Sequence, residues 1–470
     1  MDQTLYQKVA DQIETHIQEG LFKLGERIPS VRKASAQMEV SMATVLQAYR
    51  LLEDRGVIKA QPQKGYFVHS IPTQPLKVRP QSTADQDESI QTMLANVLRL
   101  SQDTNVTQFG AAIPNNQFLP IRQLQRSVGR LMRLEPDICA AYAFTPGSEV
   151  LRRQIAIRML DTGCKLSPED ILITLGCQHA LMLALQSTTM PGDTIAIESP
   201  SYHGILQAAK ALHLKVIEIP CHWDTGLDLS MLANALAEHP IKACVVSPEN
   251  QNPTGAQMPQ PARHELLTLA ANYDITIIED DVYGELCYQS PRLPSLKALD
   301  RQDKVIYCGS FSKSIAPGFR VGWIIGGKQQ AAIAQQAYVQ SFATPTLTQV
   351  AIANFLENGA YDRHLRKTRQ TYQQNLSYFQ GAITKHFPVG THYSAPKGGF
   401  ILWVTLPKEI NALALHKLAL QHKIGLLPGH ALSHSGTFTH HIRINYALPW
   451  NNHTETALKT LGRLCFELMD

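Results

Sequence analysis

A lysine, an aspartate, an asparagine and an arginine stand in this chain at separations that suit one kind of chemistry. Lys313 lies in GSFSKSIAPGFRVGW (309–323), with Arg320 seven residues on. Asp280 precedes the lysine by 33 residues, in ITIIEDDVYGEL (275–286), with Tyr283 three residues on. Asn252 lies 28 residues further back, in SPENQNPTG (247–255). A lysine amine can condense with an aldehyde to a Schiff base. A carboxylate can keep a pyridine nitrogen protonated, so that the ring draws electrons. Asparagine and tyrosine can hydrogen-bond a phenolic oxygen, and an arginine can hold a phosphate. Those are the services that pyridoxal phosphate requires of a protein.

Nearby residues extend the set. Ser310 and Ser312 are hydroxyl donors for the phosphate, close in sequence to Lys313. LGCQHALMLAL (175–185) starts a helix after a strand, and free backbone N–H groups at Cys177 and Gln178 suit a phosphate. Tyr202, in ESPSYHG, is placed to stack on the ring face. Lys313 and Asp280 are the expected catalytic residues. Asp280 ends a strand, at the carboxyl edge where α/β sheets bind ligands. His179 and His203 read as bystanders. The eight cysteines are spread singly, with no C-x-x-C pair. That argues against a metal site or a disulfide framework and for a reducing, cytoplasmic setting.

The elements that must position these residues can be read from periodicity. From about 106 the chain alternates β-branched runs with amphipathic segments. IAIES (195–199), KACVVSP (242–248), ITIIED (275–280), KVIYCGS (304–310) and VGWIIGG (321–327) are strand candidates. That pattern predicts an α/β domain with a mostly parallel sheet and helices on both faces. Residues 1–69 form a separate unit. Leu5, Val9, Ile13 and Ile17 mark one apolar helix face closed by Gly20. Ser30 caps a second helix and Ser41 a third, closed by Gly56. VIKAQPQKGYFV then predicts a β-hairpin wing turning at Lys64-Gly65. The stretch 70–105 is rich in Pro, Gln, Ser and Asp and suits a linker, with a short helix, IQTMLANVLRL, near its end. The N-terminus carries charges where a secretory leader needs an apolar core, and no long apolar run predicts a membrane span.

With these residues in place, 106–470 resembles the fold-type I, pyridoxal phosphate-dependent aminotransferase family. NPTG, D-x-x-Y and S-x-S-K-x-x-x-P-G-x-R carry that likeness in combination. Residues 1–69 resemble the winged helix-turn-helix domain of GntR-type regulators, and the pairing resembles the MocR subfamily of bacterial transcriptional regulators. The aminotransferase likeness implies a smaller C-terminal subdomain and three further assignments. Tyr142, in YAFTPGSEVLR, would reach the phosphate of a neighbouring subunit, which implies a homodimer. Arg443, in IRINYA, would clamp a substrate α-carboxylate bidentately. KGGFILWV (397–404) would line the substrate side.

Helix-turn-helix geometry places the start of the third helix in the major groove. Ser41 and Thr44 there, Arg32 on the second helix, and Lys64 and Gly65 on the wing are the expected contacts with a double-stranded operator. Seven Lys or Arg against three acids between 27 and 64 give a modest positive footprint. Met42 departs from the GntR pattern, which often has a basic residue there. Two functions follow as expectations. One is a regulator sensing an amino acid or amine effector through the Lys313 Schiff base, with residual transamination. The other is an active amino acid aminotransferase carrying a secondary DNA-binding module.

Overall fold

In the computed structural model, the described residues are 4–70, 90–357 and 359–469. The chain divides into two units, at Asp87 and Glu88.

The first unit has its core where three helices meet. They span Leu5–Gln18, Val31–Met38 and Met42–Asp54. Val9, Ala10, Ile13 and Ile17 of the first pack against Val45, Ala48, Tyr49 and Leu52 of the third. Leu5 stays 56% exposed, because the first helical residue projects beyond that core. Ser30 Oγ accepts from Lys33 N at 3.3 Å and starts the second helix. Strands Ile58–Gln61 and Gly65–Val68 pair antiparallel as the expected wing.

In the second unit, eight strands pair in the order Leu172–Thr174, Gly322–Ile325, Val305–Ser310, Thr276–Asp281, Ile241–Val246, Thr194–Ser199, Lys215–His222 and Gly226–Leu227. The five from Val305–Ser310 to Lys215–His222 run parallel. Gly322–Ile325 runs antiparallel to both its neighbours. Strand residues alternate between two cores. Ile195, Ile197 and Val245 face helices Cys177–Thr188, His203–Ala211 and Gln330–Ser341. Ala196, Cys244 and Val246 face helices Leu229–Glu238 and Gln260–Asn272. Both faces are thus covered, which is why these strands read as unbroken apolar runs. A smaller C-terminal sheet pairs His392–Tyr393, Ile401–Thr405, His441–Asn445 and Leu427–Pro428.

Of the expected linker, 71–89 lie outside the described residues. Its last part forms helix Ile90–Leu100, whose Met93, Leu94 and Val97 bury against Trp403 and Leu427 of the second unit. The apolar residues that make this stretch a helix candidate also give it a core. Among the described residues, seven cysteines are free thiols, no acid–His–Cys cluster could hold a metal, and no helix is long and apolar enough to cross a membrane.

Candidate functional site

The strand ends of the large sheet bring the sequence-predicted residues to one cavity of about 130 Å³. Lys313, Asp280, Asn252 and Tyr283 line it, and so do Tyr202, Cys177, Gln178, Ser312 and Arg320. Asp280 arrives at the end of Thr276–Asp281, beside Cys308 on the neighbouring strand. Lys313 follows Val305–Ser310 by three residues. Its Nζ donates to the Ala112 carbonyl at 2.7 Å.

Burial, with the Arg443 charge adding to it, holds the Lys313 amine down at about 8 instead of the usual 10.5. A larger share of the nucleophilic neutral amine is therefore present near neutral pH. Uptake of pyridoxal phosphate by the cofactor-free protein, followed by absorbance, should accelerate with pH and level off above about 8. A rate still climbing toward the ordinary lysine range would mean that the amine sits in water. Burial lifts the Asp280 carboxyl to about 6, while a hydrogen bond from the Cys177 thiol, at 3.1 Å, opposes it. A cationic ring nitrogen beside Asp280 would pull it back down.

One end of the cavity suits an anion. Helix Cys177–Thr188 starts there, and its first N–H groups have no partner within the helix. Gly176, which precedes it, has φ +83°, and a Cβ would lie 2.7 Å from Arg320 Nη2. Only glycine lets that guanidinium lie against the helix start, where Nη2 donates to the Leu175 carbonyl at 2.7 Å. Ser312 lines the cavity, but Ser310 stands one step behind it. The Ser310 hydroxyl donates to the Val321 carbonyl at 3.0 Å and accepts from Ser312 N at 3.1 Å. At the other end, the buried Tyr283 hydroxyl has no partner. A cationic and amide cradle, a lysine amine, a carboxylate and an unmatched phenol make a donor set that fits pyridoxal phosphate.

Two further expected residues lie off the cavity wall. Arg443 is buried behind Asn252, donating to Asn252 Oδ1 at 3.0 Å and to the Gly110 carbonyl at 2.6 Å. Tyr142 is 70% exposed, in a cluster with Phe144 and Phe342.

Sequence reading misses a backbone feature. The carbonyls of four consecutive residues, 109–112, are taken in turn by Asn445 N (2.7 Å), Arg443 (2.6 Å), Asn445 Nδ2 (2.9 Å) and Lys313 (2.7 Å). A carbonyl acceptor has no residue type to betray it.

In the first unit, the third helix begins at Ser41, whose Oγ accepts from Thr44 N at 3.1 Å and lies 2.8 Å from the Thr44 hydroxyl. Both hydroxyls therefore serve the cap as well as the surface. Met42, Ala43, Arg32 and Lys64 are exposed. Gly65 has φ +105°, and the exposed Arg27 lies over it, 3.0 Å from where a Cβ would be. The sequence reading counts Arg27 only as charge; the structure puts its guanidinium on the wing.

Together these features define a winged helix-turn-helix module joined to a class I and II aminotransferase domain. The family description "Aminotransferase class I and II" matches residues 112–461, and "Bacterial regulatory proteins, gntR family" matches 5–68. The chain belongs to the gntR-type regulators fused to a class I and II aminotransferase domain, the architecture of the MocR subfamily. It is 37% identical to the uncharacterized HTH-type transcriptional regulator YjiR of Escherichia coli, over 99% of this chain and 100% of that one. It is 35% identical to a second such regulator from that organism, YdcR, over 98% and 99%. Among solved structures it resembles LysN, the α-aminoadipate aminotransferase of Thermus thermophilus, complexed with N-(5'-phosphopyridoxyl)-L-leucine. That match has 28% identity and a TM-score of 0.75, over 80% of this chain and 95% of the other.

Proposed function

We propose that this chain is a cytoplasmic, DNA-binding transcriptional regulator that holds pyridoxal phosphate and senses an amino acid or amine effector through a Schiff-base lysine, Lys313. The observation that carries this reading is the single cavity shared by Lys313, Asp280, Asn252 and Tyr283, in a chain that also has a complete winged module. Relatives along the whole chain that are named as HTH-type transcriptional regulators support it. When bound, pyridoxal phosphate supplies a reactive aldehyde and an electron-withdrawing ring. Asp280 holds charge at the ring nitrogen, Asn252 and Tyr283 hydrogen-bond the phenolic oxygen, and Tyr202 covers the ring face. Ser312, Arg320 and the amides at Cys177 and Gln178 hold the phosphate, with Ser310 fixing Ser312. Arg443 receives the effector carboxylate by exchanging a bond to Gly110 or Asn252. The exposed cluster of Tyr142, Phe144 and Phe342 supports a homodimer, in which Tyr142 reaches the partner's phosphate.

An effector can shift an equilibrium only by binding one state more tightly. A gel shift on the DNA upstream of the chain's own gene, at fixed salt, with and without pyridoxal phosphate and with Lys313→Ala, tests the reading. Binding that changes with the cofactor, and no longer does so in the variant, supports it; binding indifferent to both sinks the sensing role. Arg32→Ala should weaken specific binding by about 1–3 kcal/mol, roughly 5- to 150-fold, while cofactor absorbance stays unchanged. An unaltered affinity would remove Arg32 from the operator contacts.

The second reading is a working amino acid aminotransferase. The amine held at about 8 favours it, because a proton shuttle works best near ambient pH. Turnover of an amino acid with a keto acid by the purified protein tests it directly.

A further inference from the structure

A second cavity, of about 650 Å³, opens between helices Ile121–Leu134 and Ala360–His386. That volume suits a small molecule, whose sites run to roughly 300–1,000 Å³. Arg126 and Arg130 line it from the first helix, and Arg363 and Lys367 from the second. Each pair is spaced one helical turn apart, so its charges repel along their own helix. All four residues are exposed, and none has an ion-pair partner among the described residues. Arg126 Nε donates to the Arg122 carbonyl at 3.3 Å, which leaves its charge uncancelled. No Asp or Glu lines the cavity. Two like-charged pairs thus converge on one space, and its walls hold nothing to neutralise them.

The walls are fixed in place. Ser127 Oγ donates to the Ala351 carbonyl at 3.1 Å and pins the first helix to helix Thr346–Glu357. Phe118 packs edge-on against Tyr372 of the long helix, with ring centroids 5.5 Å apart. Phe118 and Leu119 are half-buried and, with Phe355, give the cavity an apolar side. A single carboxylate would leave most of the positive charge unmatched, whereas guanidinium forks bond phosphate oxygens two at a time. The apolar side asks for more than an inorganic ion. The geometry points to a ligand site for an organic polyphosphate, a nucleoside di- or triphosphate. Its phosphates lie across the four cations and its ring against Phe118 and Leu119. A DNA duplex is too broad to enter such a cavity and would meet only the rim. This site goes beyond the sensing role of Lys313 and does not rest on it.

The cavity shares no lining residue with the cofactor cavity, yet it lies close by in bonding terms. His364 lines it, and His364 Nε2 stands 2.8 Å from the Ser314 carbonyl. A carbonyl only accepts, so Nε2 carries the proton and donates. The site is thus one hydrogen bond from the residue that follows Lys313.

The test is thermal unfolding of the full-length protein, saturated with pyridoxal phosphate, at fixed salt and without added magnesium. The probes are the common nucleoside di- and triphosphates, with their nucleosides, inorganic tripolyphosphate and citrate as controls. At least one nucleotide is expected to raise Tm, with no control matching it. Lys313→Ala keeps that shift, and so does Arg32→Gln with Lys64→Gln on the winged unit. Arg126→Gln with Arg130→Gln weakens the affinity roughly tenfold or more, the loss of charge-assisted hydrogen bonds. Arg363→Gln with Lys367→Gln does the same from the facing helix. Both double variants remove exposed, mutually repelling charges, so neither should unfold at a lower temperature without ligand. A shift that survives both double variants places the ligand elsewhere and overturns the proposal. So does the absence of any shift, or one that tripolyphosphate or citrate reproduces in full.

Discussion

Lys313→Ala protein that is loaded with pyridoxal phosphate, treated with borohydride and then unfolded should release all of its cofactor, whereas the unsubstituted protein should keep it attached. Reduction locks a Schiff base into a stable amine, so attachment after unfolding reports the residue that carried it. Lys313 is the one lysine among the described residues lining the cavity. Truncation removes a side chain whose amine bonds only a carbonyl, so the fold should persist. Any transaminase turnover should fall by about 10²–10⁴, the usual contribution of a positioned general base. Cofactor still attached in the variant would move the covalent site to another lysine and dissolve the proposed sensing route.

The second large effect is expected beneath the Asn252 loop. Arg263 and Glu249 form a fully buried pair at 2.5 Å, both side chains 0% exposed. The guanidinium also donates to the carbonyls of Met258, Pro294 and Pro248. Glu249 accepts from Gln257 and from the Cys287 thiol. Arg263→Met leaves a buried carboxylate with no cation, and should cost about 3–5 kcal/mol in urea unfolding. Because Glu249 lies three residues before Asn252 in the same run, the variant should also bind cofactor more weakly. The double substitution Arg263→Met with Glu249→Gln removes both charges and should recover part of the stability. A single variant as stable as the parent would show that this pair does not hold the loop.

How much of this is legible in the sequence follows from the kind of force that fixes each part. IAIES, KACVVSP, ITIIED, KVIYCGS and VGWIIGG all form strands, because a sheet covered on both faces demands unbroken apolar runs. Lys215–His222 escapes that pattern. It lies near the sheet edge, where polar residues interrupt the run. Ser30 and Ser41 announce two helix starts through a local rule, the hydroxyl that accepts from the third residue on. Leu5 fits the helical period yet stays in water, since period alone does not say where a core ends. Among the candidate cofactor residues, Lys313, Asp280, Asn252 and Tyr283 come together as expected. The difference between Ser310 and Ser312 is invisible in sequence, because two serines two residues apart differ only in the direction the backbone gives them. The basic cavity is equally hidden. Arg126 and Lys367 lie 241 residues apart in sequence, and only the fold brings them to one space.

The ribbon of residues 109–112 works as a clasp with four teeth. Asn445 grips the first and third, while Arg443 and Lys313 grip the second and fourth. Those last two are the residues proposed to meet the incoming ligand, so a guest that engages them would loosen alternate teeth and leave the others shut. The same ribbon is tied to helix Ile90–Leu100, where Gln108 Nε2 reaches the Val97 carbonyl at 3.3 Å. That helix is the threshold the chain crosses on its way from the first unit. A change in the grip of Lys313 or Arg443 on this ribbon is therefore one side-chain hydrogen bond from the helix that opens the second unit.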